Sequence, residues 1–234
     1  MFTNRVHRTL HRGLPRSGKF VVVLAVMALV GAFAAGSSTA GNSSRSCPVQ
    51  PQTSQPFLAW GDSNSYFLAP AGDMESSPMT AGWSLTGGAS LVAGSESSDV
   101  TGSATDSYSL GLPGGASATT PQICVTIQDP QFRVFVRNTG DPKAQLMVQA
   151  QIVTNAGQPK TYDLGAVKGS GSWALSNPVL FKSAIQPGAD GTGLIAFTFA
   201  PKDATGNWQI DDLYIDPIKS QGSDGFGGGW GGGW

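Results

Sequence analysis

Phe132-Arg133-Val134-Phe135-Val136-Arg137-Asn138 is followed, after a turn at Thr139-Gly140-Asp141-Pro142, by the run Gln145-Leu146-Met147-Val148-Gln149-Ala150-Gln151-Ile152-Val153-Thr154. In both runs side chains alternate with a period of two, the pattern of strands that bury one face. Phe132, Val134 and Val136 share one side of the first run. Leu146, Val148, Ala150 and Ile152 share one side of the second. The two runs read as a hairpin with an apolar inner face. Its outer face then carries Arg133, Phe135, Arg137, Gln145, Gln149 and Gln151.

Working outward from this pair, short β-rich runs recur along the chain, separated by Gly, Pro, Asn, Asp and Ser clusters. Ser65–Ala69, Trp83–Leu85, Ala89–Ala93, Ser107–Leu112, Ile123–Gln128, Thr161–Ala166, Val179–Lys182, Leu194–Ala200 and Trp208–Asp216 complete the set of expected strands. After residue 40 no stretch keeps a helical period. The pattern predicts an all-β chain folded as two packed antiparallel sheets. The last strand breaks step: Trp208 and Ile210 have one parity, Leu213 and Ile215 the other. A β-bulge at Asp211-Asp212 reconciles the two halves.

The ends have a different character. Arg5, Arg8, Arg12, Arg16 and Lys19 precede the apolar run Phe20–Ala35, and Ser38 and Ala40 occupy the small-residue positions of a cleavage site. This is the layout of an export signal peptide over 1–40, and the apolar run falls short of the ~20 residues of a membrane-spanning helix. Residues 41–55 read as a flexible linker, 56–219 as the folded domain, and 220–234, Gly-rich with Phe226, Trp230 and Trp234 interleaved, as a disordered tail. The localisation expected is secreted, without a stable membrane anchor once the signal is cut. Cys47 and Cys124, an even pair bound for an oxidising compartment, are expected to form a disulfide.

Charge and composition exclude several chemistries. The leader removes 5 of the 14 basic residues, leaving 9 against 15 acidic ones. A net acidic chain without a Lys/Arg cluster argues against nucleic acid as a partner. Both histidines, His7 and His11, leave with the leader, so no imidazole remains for Ser-His-Asp, Cys-His or His-ligated zinc chemistry. Gly61-Asp62-Ser63 imitates a hydrolase nucleophile block but lacks that base, and Asp62 and Ser63 read as turn residues. Glycoside hydrolysis needs two placed carboxylates. No spacing singles out such a pair, so no catalytic residue is assigned and the chain is not expected to be an enzyme.

Two terminal blocks carry a resemblance: Ala71-Gly72-Asp73-Met74-Glu75 with Gly82-Trp83-Ser84-Leu85 near the start, and Trp208-Gln209-Ile210-Asp211-Asp212-Leu213-Tyr214-Ile215-Asp216-Pro217 at the end. Over about residues 57–217 the chain resembles the jelly-roll sandwiches of carbohydrate-binding modules with a galactose-binding-like fold. Its layout, with Cys124 in a Pro-x-Ile-Cys-Val strand, also resembles uncharacterised secreted bacterial proteins of actinomycete type. Met74 stands where the modules usually place an aromatic residue. The resemblance implies a jelly roll and a structural Ca²⁺ where the first and last strands meet. Asp73, Glu75, Asp211 and Asp212 supply the hard oxygen donors such an ion takes; no other cofactor is expected.

For a glycan, the outer residues Arg133, Phe135, Arg137, Gln145, Gln149 and Gln151, joined by Tyr214, offer aromatic surface and planar donors. The chain is thus expected to be a secreted, non-catalytic binding domain for cell-wall or extracellular carbohydrate. Two alternatives are a secreted structural or surface-interaction protein without a small ligand, and a carboxylate-based carbohydrate-active enzyme. The oligomeric state has no signature in the sequence.

Overall fold

A computed structural model describes residues 51–98, 100–102, 106–188 and 191–217. The leader, Cys47 and the Gly/Trp tail lie outside the described residues. The strands are β1 (Phe67–Leu68), β2 (Ser84–Thr86), β3 (Ser90–Ala93), β4 (Tyr108–Pro113), β5 (Ser117–Thr119), β6 (Ile123–Thr126) and β7 (Gln131–Asn138). They continue with β8 (Leu146–Val153), β9 (Pro159–Val167), β10 (Ala174–Leu175), β11 (Val179–Leu180), β12 (Thr192–Pro201) and β13 (Asn207–Asp216). Short 3-10 turns at Leu58–Trp60 and Lys182–Ala184 are the helical elements among the described residues.

The strands form two antiparallel sheets. The first has the order β10-β7-β13-β4-β3, with β1 added on β13 and β11 on β7. The second runs β2-β5-β12-β8-β9, with β6 added on β12. The chain passes repeatedly from one sheet to the other, giving a jelly-roll β-sandwich. β5 and β10 are strands that the sequence pattern does not reveal; two or three residues are too few to display a period.

The inner faces are those the alternation marks. Phe132, Val134 and Val136 of β7, Leu146, Val148, Ala150 and Ile152 of β8, and Ile195, Phe197 and Phe199 of β12 are buried in one continuous core. Each buried Val, Leu, Ile or Phe side chain among them contributes about 1.5–3 kcal/mol of burial free energy. β13 adds Trp208 and Ile210, then Leu213 and Ile215, to the same core. Its pairing with β7 slips between Asp211 and Tyr214, and Asp212 takes a φ of 51°. The bulge is therefore where the parity break places it.

One expectation fails. β7 and β8 are not a hairpin: β7 pairs with β13, β10 and β11, whereas β8 pairs with β12 and β9. The backbone of the 138–141 connection bonds instead to the 205–207 segment, through Thr139 N to Asn207 O (2.8 Å) and Asp141 N to Thr205 O (3.0 Å). The chain thereby steps across the sandwich, and the apolar faces of β7 and β8 oppose each other across the core. Two amphipathic strands with the same alternation satisfy burial equally well side by side or face to face. The 155–158 connection is a true hairpin between β8 and β9.

Candidate functional site

On the first sheet the outward residues of β7 are Arg133, Phe135 and Arg137, and a second apolar cluster covers part of them. Phe57, Tyr66, Phe135 and Tyr214 are buried together, with Leu68, Val100, Trp173 and Leu175 packed around them. Phe57 meets Tyr66 and Tyr214 edge-on at centroid distances of 4.9 and 5.5 Å. Trp60, 41% exposed, approaches Phe135 at 5.4 Å. The N-terminal segment therefore lies over this half of the sheet, tied at its start by paired backbone bonds between Ser54 and Tyr66.

Arg133 is engaged by this segment. Its Nη1 donates to Asp62 Oδ2 at 2.8 Å, with side-chain exposures of only 13% and 14%. Its Nε and Nη2 donate to Ser176 O at 3.1 and 2.9 Å. Tyr66 Oη donates to the same Asp62 oxygen at 2.6 Å, and the Asn64 N–H to Oδ1 at 3.1 Å. Burial works against the Asp62 charge, but the bonds from Tyr66, Asn64 and Arg133 outweigh it and hold its pKa below the usual carboxylate value. Asp62 is thus a clamp residue, in keeping with its reading as a turn rather than a nucleophile block.

Arg137 stands in different surroundings. Its guanidinium lies 4.8 Å from the centroid of the Trp173 ring, and its Nε donates to Gln209 Oε1 on β13. Among the described residues its Nη groups meet no protein acceptor. The cross-strand row continues from Gln209 to Gly111 on β4 and Ser90 on β3. A Cβ on Gly111 would stand 2.9 Å from Cγ1 of Val92, so the missing side chain is what lets the valine lie over that strand. Guanidinium on indole, amide, valine methyls and hydroxyl thus form one half-exposed strip.

The residues read as one ligand face therefore lie in three places. Arg133, Phe135 and Tyr214 are internal supports of the N-terminal clamp. Arg137 lines the strip. Gln149 and Gln151 face outward from the second sheet, where Gln151 Nε2 donates to Thr198 Oγ1 at 2.8 Å, and Gln145 at the start of that strand accepts from Lys202 Nζ at 3.3 Å. The physical reason is the crossing of β7 to β8 between sheets. Trp173, Gln209, Val92 and Ser90 are the members of the strip that sequence reading missed. Trp173 sits just before a two-residue strand, where no periodic signal exists.

Beside the strip lies a cluster of carboxylates. Oxygens of Glu96, Asp106 and Asp212 all lie within 4.8 Å of one another. Glu96 is 3% exposed and Asp212 is fully buried. Among the described residues no hydrogen-bond donor reaches Glu96 Oε1 or either side-chain oxygen of Asp106 and Asp212. Buried carboxylate oxygens without donors are costly, on the order of several kcal/mol each, unless a proton or a positive charge neutralises them.

Their pKa values respond accordingly. Burial, reinforced by the Asp106, Glu96 and Asp73 charges, pushes Asp212 up to about 8. Burial and then Glu75 push Asp106 up to about 7. Burial and the Asp212 charge raise Asp211 to about 9.

Of the four carboxylates assigned to an ion from the sequence, only Asp212 has oxygens in this three-way cluster. Asp211 is occupied by backbone donors, taking Glu96 N on Oδ2 at 3.2 Å and Asp212 N on Oδ1 at 3.0 Å. Glu75 Oε1 accepts from Ser107 N and Tyr108 N at 2.7 Å each, holding the base of β4. Asp73 acts on the cluster through its charge. Glu96 and Asp106 are the other two members of the cluster, and neither stands in a motif. One signal was available: Glu75 and Glu96 are the only two glutamates of the chain.

No family model matches the sequence, and no curated protein matches it. Solved structures do share its architecture. The CBM22-1 xylan-binding domain of Paenibacillus barcinonensis Xyn10C superposes with a TM-score of 0.40 at 13% identity, covering 60% of this chain and 88% of that one. The CBM22-1–CBM22-2 tandem domain of the same enzyme gives 0.45 at 12% identity, over 67% of this chain and 47% of that one. TmCBM61 in complex with β-1,4-galactotriose gives 0.34 at 12% identity, over 63% and 95%. Carbohydrate-binding modules of jelly-roll type are thus among its structural neighbours, and the sandwich assignment itself rests on the strand pairing above.

Proposed function

We propose that this chain is an exported, non-catalytic carbohydrate-binding protein whose ligand strip is Trp173, Arg137, Gln209, Val92 and Ser90. The observation that carries the reading is the Arg137 contact pair. A guanidinium stacked on an indole and steered by an amide keeps its Nη donors without a protein acceptor among the described residues, on a face that also carries the Val92 methyls. A pyranose ring needs that combination, apolar surface for its C–H face and planar donors for its hydroxyls. The enclosed carboxylates favour binding over hydrolysis, because Glu96 and Asp212 are shut off from any sugar that lies on the strip.

The test is affinity electrophoresis of the full chain through gels containing soluble xylan, β-1,4-galactan or mixed-linkage β-glucan. Arg137→Ala and Trp173→Ala are each expected to weaken retention at least tenfold, about 1.4 kcal/mol. Gln149→Ala/Gln151→Ala, on the opposite sheet, is expected to leave retention unchanged. Equal retention of all variants would remove the strip from the proposal.

The same proposal places one calcium-class cation at Glu96, Asp106 and Asp212. Hard carboxylate oxygens suit Ca²⁺, which takes 6–8 oxygen ligands and accepts backbone carbonyls and waters among them. The donor-less buried oxygens support this fit. A Cys47–Cys124 disulfide is proposed as the covalent tie between the N-terminal region and β6. In the chain-entropy model it would contribute at most about 4–5 kcal/mol. Thiol titration of the exported protein under denaturing, non-reducing conditions is expected to find no free cysteine; two free thiols would overturn the pairing.

A further inference from the structure

We propose that a divalent cation at Glu96, Asp106 and Asp212 sets the affinity of the Trp173–Arg137–Gln209 strip for glycan, by fixing the 94–98 arm against Arg137. The inference rests on the glycan reading above and extends it to the regulation of that strip.

The two sites share one strand and one arm. On β13, Gln209 and Asp211 lie two residues apart on the same face, ~7 Å along the strand. Gln209 holds Arg137 Nε, and Asp211 Oδ2 holds the Glu96 N–H at 3.2 Å. Gly94, two residues before Glu96, lies against the guanidinium: a Cβ there would stand 3.6 Å from Arg137 Nη2. The base of the arm thus borders the strip on that side. Its base is anchored by Gly94 N to Ser107 O at 2.7 Å and by Ser109 Oγ to Gly94 O at 2.6 Å.

Beyond that base, among the described residues, the arm is held by the Glu96 N–H on Asp211 Oδ2 of β13 and by Ser95 Oγ, which donates to Asp106 O at 3.1 Å. The Glu96 carboxylate folds back on its own arm through Ser98 N at 2.7 Å, and its other oxygen meets no donor. It faces Asp106 and Asp212 within 4.8 Å. Once deprotonated and without a cation, these carboxylates repel one another and loosen the arm's hold on Asp212; with a cation, they become three ligands of a single ion. The arm position that borders Arg137 is then the position that the cation favours. A ligand shifts a conformational equilibrium only through its differential affinity for the two states, and here the cation has such a difference. By linkage, glycan must tighten cation binding by the same factor.

The test uses the full chain in the same polysaccharide gels, in millimolar calcium or in EDTA. The dissociation constant for the retarding polysaccharide is expected to rise about tenfold on chelation, within the usual range of linked sites. Amide hydrogen exchange in residues 94–98 is expected to accelerate in parallel. Glu96→Gln, of native circular dichroism, is expected to bind in calcium with the affinity that the unaltered protein shows in EDTA. Equal retention in calcium and EDTA, with terbium luminescence reporting that the ion site has emptied, would overturn the linkage and leave the glycan reading standing. Unchanged exchange in the arm on chelation would overturn it independently of any glycan. Absence of retention in every gel under both conditions would overturn the glycan reading, and this inference with it.

Discussion

In EDTA at pH 8 the protein is expected to melt about 10 °C below its melting temperature in millimolar calcium. A ligand present at a thousand times its dissociation constant stabilises the folded state by about 4.1 kcal/mol. For a domain of this size one kcal/mol moves the midpoint by about 2–4 °C. The effect has a pH dependence whose sign follows from the cluster. Asp106, Asp211 and Asp212 have folded pKa values of about 7, 9 and 8, above the ordinary 3.8. Without calcium they bind more protons folded than unfolded, so their contribution is complete below about pH 4 and is lost as pH rises through 7 to 9. Calcium binds the deprotonated carboxylates, so its affinity rises over the same interval. Differential scanning fluorimetry from pH 5 to pH 9 should therefore show the calcium-to-EDTA gap widening with pH. A gap that is absent at pH 8 would rule out the ion; one that narrows with pH would contradict the carboxylate set.

Phe132→Ala is expected to destabilise the domain by about 3–5 kcal/mol, the cost of removing a buried aromatic and leaving a cavity. Phe132 is fully buried, with its ring 4.8 Å from Phe197, 5.8 Å from Phe199 and 6.2 Å from Phe181. Phe197 and Phe199 belong to β12 of the opposite sheet and Phe181 to the segment after β11, so the truncation opens the contact that joins the two sheets, and the stiff aromatic neighbours cannot close the gap without leaving their rotamers. Urea unfolding followed by circular dichroism should show a lower midpoint at an unchanged slope. A loss under about 1 kcal/mol would mean that the Phe132 side chain does not fill the core as described.

Phe132 also shows how far the sequence carries. Its parity with Val134 and Val136 put it inside, and the opposite parity put Arg133, Phe135 and Arg137 outside; both assignments hold, because period-two burial is a local property of the strand. Outside, however, did not mean exposed. Phe135 and Tyr214 lie beneath Phe57 and Trp60, brought there by a segment more than seventy residues earlier in the chain. No alternation within β7 or β13 records that cover.

The amino-acid sequence by itself determined the all-β class, the inner faces of β7, β8 and β13, and the bulge at Asp211-Asp212, since each is written in the spacing of apolar residues along one strand. Only the tertiary structure decided which strands share a sheet, because β7 and β8 bury the same residues whether they pair or oppose each other. It alone brought Trp173 onto Arg137, and the carboxylates of Glu96 and Asp106 onto Asp212. Those meetings are made by crossings between sheets and by the approach of the 94–98 segment to β13. Their energies come from long-range contacts that leave no periodic trace in the chain.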